Sequence, residues 1–95
     1  MGAEVAKPEW WNDEGLKALS ARVVRAAPDG VGTNMMRGKV LSGKTEAWEA
    51  GPRSAAELME AATHYDRCAA LCPAPAVKAQ LAVAAARYRS QAEAM

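Results

Sequence analysis

"SAAELMEAATHYDRCAALCPAP", residues 54–75, carries a start signal, a periodic body and a stop. Ser54-Ala55-Ala56-Glu57 has the form of a capping box. In that motif the serine hydroxyl and the glutamate carboxylate each satisfy a backbone N–H that a first helical turn leaves without a partner. Leu58, Ala62, Tyr65, Ala69 and Cys72 then step by four, three, four and three, an apolar stripe at helical period. Pro73 ends the run, and Pro75 begins another, because proline is tolerated at the first position of a helix. The stretch therefore predicts a helix over about 54–72 followed by one over about 75–93. Val77, Leu81, Ala84, Tyr88 and Met95 form the stripe of the second, and Lys78, Arg87 and Arg89 its polar side.

The same punctuation divides the chain on the N-terminal side. Pro8 opens a segment that Pro28-Asp29-Gly30 closes, and Trp11, Leu16, Leu19, Val23 and Ala26 recur through it at helical steps. A helix over about 8–26 follows, with Glu9, Asp13 and Glu14 near its positive end. Met35, Met36, Val40 and Leu41 mark another over about 31–42, with Thr33 or Asp29 as its cap and Gly43 as its stop. Residues 43–53 remain as a long inserted loop. Alanine, the best helix former, supplies much of the apolar content, and phenylalanine is absent. The expectation is one all-α domain over residues 1–95, with four helices as two αα-hairpins; an unrelated four-helix bundle is the alternative.

Charge narrows the partners. The formal net charge is +1 and the signs alternate along the chain, so no basic stripe points to nucleic acid. No apolar run approaches membrane-spanning length, and the N-terminus lacks the apolar core of a signal peptide. Gly2 has the start of a myristoylation motif, but Ala6 stands where serine or threonine is required. No membrane partner and a soluble intracellular location are the default. Cys68 and Cys72, four apart on one helix, have poor geometry for a disulfide, which leads us to expect buried reduced thiols in a reducing compartment.

The third helix resembles the tetratricopeptide repeat. The second helix of such a repeat carries a small residue, an aromatic four later, a small residue three beyond and a proline five further on. Ala61, Tyr65, Cys68 and Pro73 repeat that series. Leu16, Ser20, Val23 and Pro28 form a second copy without the aromatic, while Asn34, Arg37, Gly38 and Leu41 sit where a repeat's first helix has its packing residues. The two prolines lie 45 residues apart, against a repeat period of about 34. The excess fits an insertion at Lys44–Ser54. The resemblance thus implies a tetratricopeptide-like stack of about one repeat with an enlarged inner loop and flanking helices. It also implies binding of a protein or peptide.

Two strings invite chemistry. "GKVLSGKT", residues 38–45, has the written form of a P-loop, with Gly38, Gly43, Lys44 and Thr45 as its phosphate-binding residues. A P-loop requires a strand before the first glycine, yet Gly38 lies within a helical pattern. A helix leading into Gly43 would make the string a helix end. His64, Cys68 and Cys72 step by four, but they include the chain's single histidine and lack a fourth metal ligand; core packing is the expectation, with no metal and no cofactor. No serine sits in a nucleophile elbow, and no enzymatic constellation emerges.

Partner binding is expected instead at Trp10, Trp11, Trp48, Glu49 and Arg53. Adjacent helix positions point about 100° apart, so Trp10 and Trp11 would not both enter one small core. Tryptophan is enriched at binding hot spots. The inserted loop, with Glu46 and Glu49 around Trp48, is the leading site, because long loops tend to carry function. The functional expectation is a non-catalytic protein–protein interaction or scaffold module. The alternatives are a small structural or self-assembling subunit and, further off, a nucleotide-binding protein using Lys44 and Thr45.

Overall fold

A computed structural model describes residues 9–44 and 48–95. It is all-α: α1 spans Asp13–Ala26, α2 Val31–Ser42, α3 Ala55–Leu71 and α4 Pro75–Glu93, with no strand among the described residues. The capping box at the head of α3 forms as written. The Ser54 hydroxyl accepts from the Glu57 amide at 3.1 Å, and the Ser54 amide donates to the Glu57 carboxylate at 3.0 Å. Pro75 occupies the first turn of α4.

Each helix packs on its sequence neighbours, α1 on α2, α2 on α3 and α3 on α4, and no other pair shares an interface of similar size. Neighbours thus pair as hairpins in a linear succession, whereas a closed bundle would also bring α4 against α1. The radius of gyration is 14.2 Å and the extents are 44 × 32 × 26 Å. A compact domain of this length would have a radius near 12 Å, so the open succession shows in the shape.

The α3–α4 interface is apolar. Leu58, Ala62, Tyr65 and Cys68 of α3 cluster with Leu81, Ala85, Tyr88 and Ala92 of α4, and the Tyr65 and Tyr88 rings stack with centroids 5.5 Å apart. Two of the five residues expected in the α4 stripe lie outside it: Val77 is 41% exposed and Met95 69% exposed. Ala85 and Ala92 are buried instead, because the tyrosine pair sets the rotation of α4 and turns these small side chains, with Leu81, toward α3. The Tyr65 ring also meets α2. A Cβ added to Gly38 would sit 3.2–3.4 Å from three Tyr65 ring carbons, so the absent side chain lets the two helices close.

The α2–α3 interface is polar at its centre. Buried Asn34 donates to the carbonyls of Pro28 and Gly30, both at 2.8 Å, and its carbonyl oxygen faces His64 Nδ1 at 2.8 Å. His64 Nε2 lies 3.2 Å from Glu60, and Glu60 in turn accepts from Arg37. The Arg37 guanidinium also donates to the Lys17 carbonyl and the Ser20 hydroxyl of α1. No buried side-chain nitrogen or oxygen lacks a partner among the described residues, as a low-dielectric interior requires.

These contacts predict opposite effects at two glycines of α2. Gly38→Val drives methyl groups into the Tyr65 ring and is expected to cost about 1–3 kcal/mol. Gly32→Ala meets no atom within 4 Å and is expected to gain about 0.5 kcal/mol by restricting the unfolded chain. Guanidinium denaturation of the two variants beside the wild type measures both.

Candidate functional site

The N-terminal end of α1 organises the site. Helix α1 starts at Asp13, not near residue 8, and Pro8 lies outside the described residues. Asn12 is the reason: its Oδ1 accepts from the Gly15 amide at 2.8 Å, while its Nδ2 donates to the Glu9 carbonyl at 2.8 Å. This side-chain cap out-competes helix continuation. Trp10 and Trp11 therefore occupy the turn before the helix, with ring centroids 5.6 Å apart, and helical geometry does not set their directions. The turn folds back so closely that a Cβ on Gly15 would lie 1.9 Å from the Trp10 carbonyl oxygen. Glycine at position 15 is thus part of how the tryptophans are placed.

Arg53, expected to meet a partner, is turned inward. Its guanidinium pairs bidentately with Asp13, at 2.6 Å to Oδ1 and 2.8 Å to Oδ2. It also donates to the Val40 carbonyl at 2.8 and 3.2 Å and to the Gly51 carbonyl at 2.9 Å. All of its N–H groups are thereby engaged, and its side chain is 7% exposed. The Asp13 carboxylate further accepts from the Trp48 indole at 3.2 Å. The Arg53 guanidinium holds the Asp13 carboxyl well below the usual carboxylate range. Partial burial opposes that shift, while the Trp48 indole and the Gly51 amide add to it. Lys17 extends the network to α3, reaching Glu57 at 2.6 Å and Asp13 at 3.5 Å. The Lys17–Glu57 contact raises the lysine and lowers the glutamate.

This clamp holds Trp48 and Arg53 at the start of α1, where Trp48 and Trp11 line the same surfaces. Both rings line an apolar groove of about 420 Å3 between α1 and α2, with Leu16, Leu19, Met35, Met36 and Val40 as its apolar lining and Lys39 and Lys44 as its charged lining. The same two rings also line a shallow depression of about 680 Å3 together with Asn12, Asp13, Glu14, Glu49 and Gly51. Of the five residues expected to bind a partner, Trp11, Trp48 and Glu49 come together here. Trp10 stands beside Trp11, 47% exposed. Met36 and Lys39 carry no local signal of a groove, since the groove exists only once α1 lies on α2.

"GKVLSGKT" ends a helix. Gly38 is buried within α2, and Gly43 closes the helix at φ 72°. The Gly43 amide donates to Val40 at 3.2 Å and the Lys44 amide to Lys39 at 3.1 Å, the paired bonds of a Schellman stop. Those N–H groups are spent on carbonyls, so the conformation of residues 38–44 is not that of a phosphate cradle. Thr45 lies outside the described residues. His64 is held by Asn34 and Glu60, and the buried Cys68 thiol donates to the Val31 carbonyl, its pKa pushed up by desolvation. Cys72, expected to be buried, is only half-buried, and both cysteines are free. Among the described residues no group of three or more His, Cys, Asp or Glu side chains could hold a metal ion, and no helix is long and apolar enough to cross a membrane.

In comparisons with protein-family models, with curated proteins and with solved structures, nothing matches this chain. The residues themselves carry the functional reading.

Removing one partner of the clamp leaves the other charge partly buried. Arg53→Ala is expected to cost roughly 3 kcal/mol, and Arg53→Lys to recover only part of that, because an ammonium lacks the planar fork. The contribution of Asp13 is fully present above its unfolded value, near pH 4, and is lost as pH falls through its depressed folded value. Denaturation midpoints should therefore fall with acidification below about pH 4. Asp13→Asn should lower stability at neutral pH and flatten that acid limb, leaving the smaller slope that Glu57 contributes in the same direction.

Proposed function

We propose that this chain is a non-catalytic protein-interaction module of helical-repeat type, which receives a peptide segment of its partner in the groove between α1 and α2. The apolar groove with two tryptophans along it carries this reading. An open apolar surface of this kind is costly to leave in water and is a common mark of a binding site. Methionines suit such a surface because their unbranched side chains adapt to different shapes. Tryptophans supply large, rigid contact area.

The tetratricopeptide-like interpretation of the stack draws support from the linear order of the helices and from Gly38 packing on Tyr65. The inserted segment then has a role that ordinary repeats lack, since Trp48, bonded to the carboxylate that Arg53 grips, lines the groove. A displayed random-peptide library tests the reading. Wild-type protein should enrich peptides bearing several apolar side chains, and Met36→Glu should abolish their binding while α-helical circular dichroism is retained. No enrichment, or enrichment indifferent to Met36→Glu, overturns it.

A second reading, self-association through α4, rests on one observation. Val77 and Val83 are exposed on α4, at 41 and 62%, and Met95 just past its end, at 69%. Sedimentation over the micromolar range should then show mass rising with concentration, and Val83→Lys should reverse it. A monomer throughout removes this reading.

A further inference from the structure

The groove has two unlike ends. Helices α1 and α2 run antiparallel along it, and Arg53 marks one end by joining Asp13, at the start of α1, to Val40, in the last turn of α2. Trp48 stands at that end through its bond to the same carboxylate, and Trp11 precedes Asp13 by two residues. Away from the clamp the lining passes to Leu19, Met36 and Met35 and then to Gly32, near the start of α2. No charged side chain lines that far part. The charged groups of both surfaces sit at the clamp end instead, Lys39 and Lys44 in the groove and Asp13, Glu14 and Glu49 in the adjoining depression. Asp13 is consumed by Arg53. Lys39, Lys44 and Glu49 form no ion pair among the described residues, and Glu14, with 88% of its side chain exposed, has only a 3.8 Å approach to Lys17. Both signs are thus on offer at one end, where Trp11 and Trp48 line groove and depression alike. Resting on the groove reading above, we propose that the occupant is a peptide segment with a one-sided layout: an apolar run lying toward Gly32 and, at the clamp end only, an acidic and a basic residue close together.

Each feature of that layout has a physical counterpart. Apolar side chains laid over Leu19, Met35 and Met36 are withdrawn from water. A charge carried into that half would lose hydration with no partner to replace it, so the far end rejects charged residues. At the clamp end a carboxylate of the segment finds Lys39 and Lys44. A lysine or arginine beside it finds Glu14 and Glu49 next to indole rings, which favour cations. A reversed segment would place its charges over the methionines and its apolar run over the ionic end, so the layout also fixes the direction of binding. A single-chain zwitterionic amphiphile has a similar outline. Its alkyl chain would stay in contact with water in a groove this open, whereas a peptide covers the groove with its own backbone and outward side chains.

The displayed library reads this layout when it is panned on wild type, on Met36→Glu, on the pair Lys39→Glu and Lys44→Glu, and on the pair Glu14→Gln and Glu49→Gln. The wild type should select an apolar run with charges of both signs at one and the same end. The lysine pair should lose the acidic residue from its selected sequences and the glutamate pair the basic one, with the apolar run kept in both. A synthetic peptide of the wild-type consensus should bind the lysine pair roughly tenfold more weakly, and the difference should shrink at high salt. A nitroxide on the charged end of that peptide should broaden the Trp48 indole N–H resonance, and one on the apolar end the Gly32 amide. All the substituted charges are on exposed residues, and unchanged thermal unfolding checks that the fold persists. Met36-dependent peptides without charge, with charges at opposite ends, or with the two broadening patterns exchanged overturn this inference and leave the interaction module standing. Absence of any Met36-dependent peptide removes the module reading and this inference with it. Dodecylphosphocholine that then binds below its micellar concentration, and more weakly to both charge pairs, assigns the surface to an amphiphile.

Discussion

All the N–H groups of Arg53 are spent inside the molecule, and the N-terminal half of the structure depends on where they go. Asp13 begins α1, Val40 lies in the last turn of α2, and Arg53 itself stands one residue before the cap of α3. One guanidinium thus holds three helix ends together. The bidentate geometry gives direction as well as attraction. Its carboxylate partner sits at the positive end of α1, where an anion is favoured before any pairing is counted. Charge pairs at a surface usually contribute little. This one differs because both side chains are largely withdrawn from water and every donor of the arginine is satisfied.

Beyond that clamp, two kinds of interface alternate along the stack. Between α3 and α4 the contact is made by stacked tyrosines and small or aliphatic side chains, and its attraction is the removal of apolar area from water. Between α2 and α3 the centre is a connected polar set running from the Pro28 carbonyl through Asn34, His64 and Glu60 to Arg37. Hydrogen bonds of this sort contribute modestly to net stability. Leaving any one of them unmade is costly, so they specify one register of α2 against α3. Tyr65 belongs to both interfaces, its ring in contact with Gly38 and stacked with Tyr88. The stack is therefore continuous through a single aromatic ring.

The candidate site follows from these constraints and adds little framework of its own. Trp48 is placed by its indole bond to Asp13, which is the same carboxylate that Arg53 grips. Trp11 is placed by the Asn12 cap and by the space above Gly15. The groove floor comes from Leu16 and Leu19 of α1 and from Met35, Met36 and Val40 of α2. A surface assembled this way is held by helices and a largely buried ion pair.

Helix identity and most helix ends were legible in the sequence because they are set locally. The Ser54–Glu57 box, the first-turn Pro75 and the Gly43 stop each satisfy backbone groups within a few residues, and short spacings display such signals directly. The Asn12 cap was equally local and could have been read from its position before Asp13 and Glu14, but Pro8 and the apolar steps at Trp11 drew the boundary too early. The fate of Arg53 was not legible. Its partner lies 40 residues away, and nothing in local spacing separates an arginine that meets solvent from one that closes a loop. The rotation of α4 was hidden for a related reason, since a helix rich in alanine offers several nearly equivalent apolar faces and only the Tyr65–Tyr88 stack chooses among them. The sequence by itself determined that there are four helices and where their chains turn, through caps and prolines. Tertiary structure alone decided which charges are consumed and which are left at the surface, because pairing depends on distance through space.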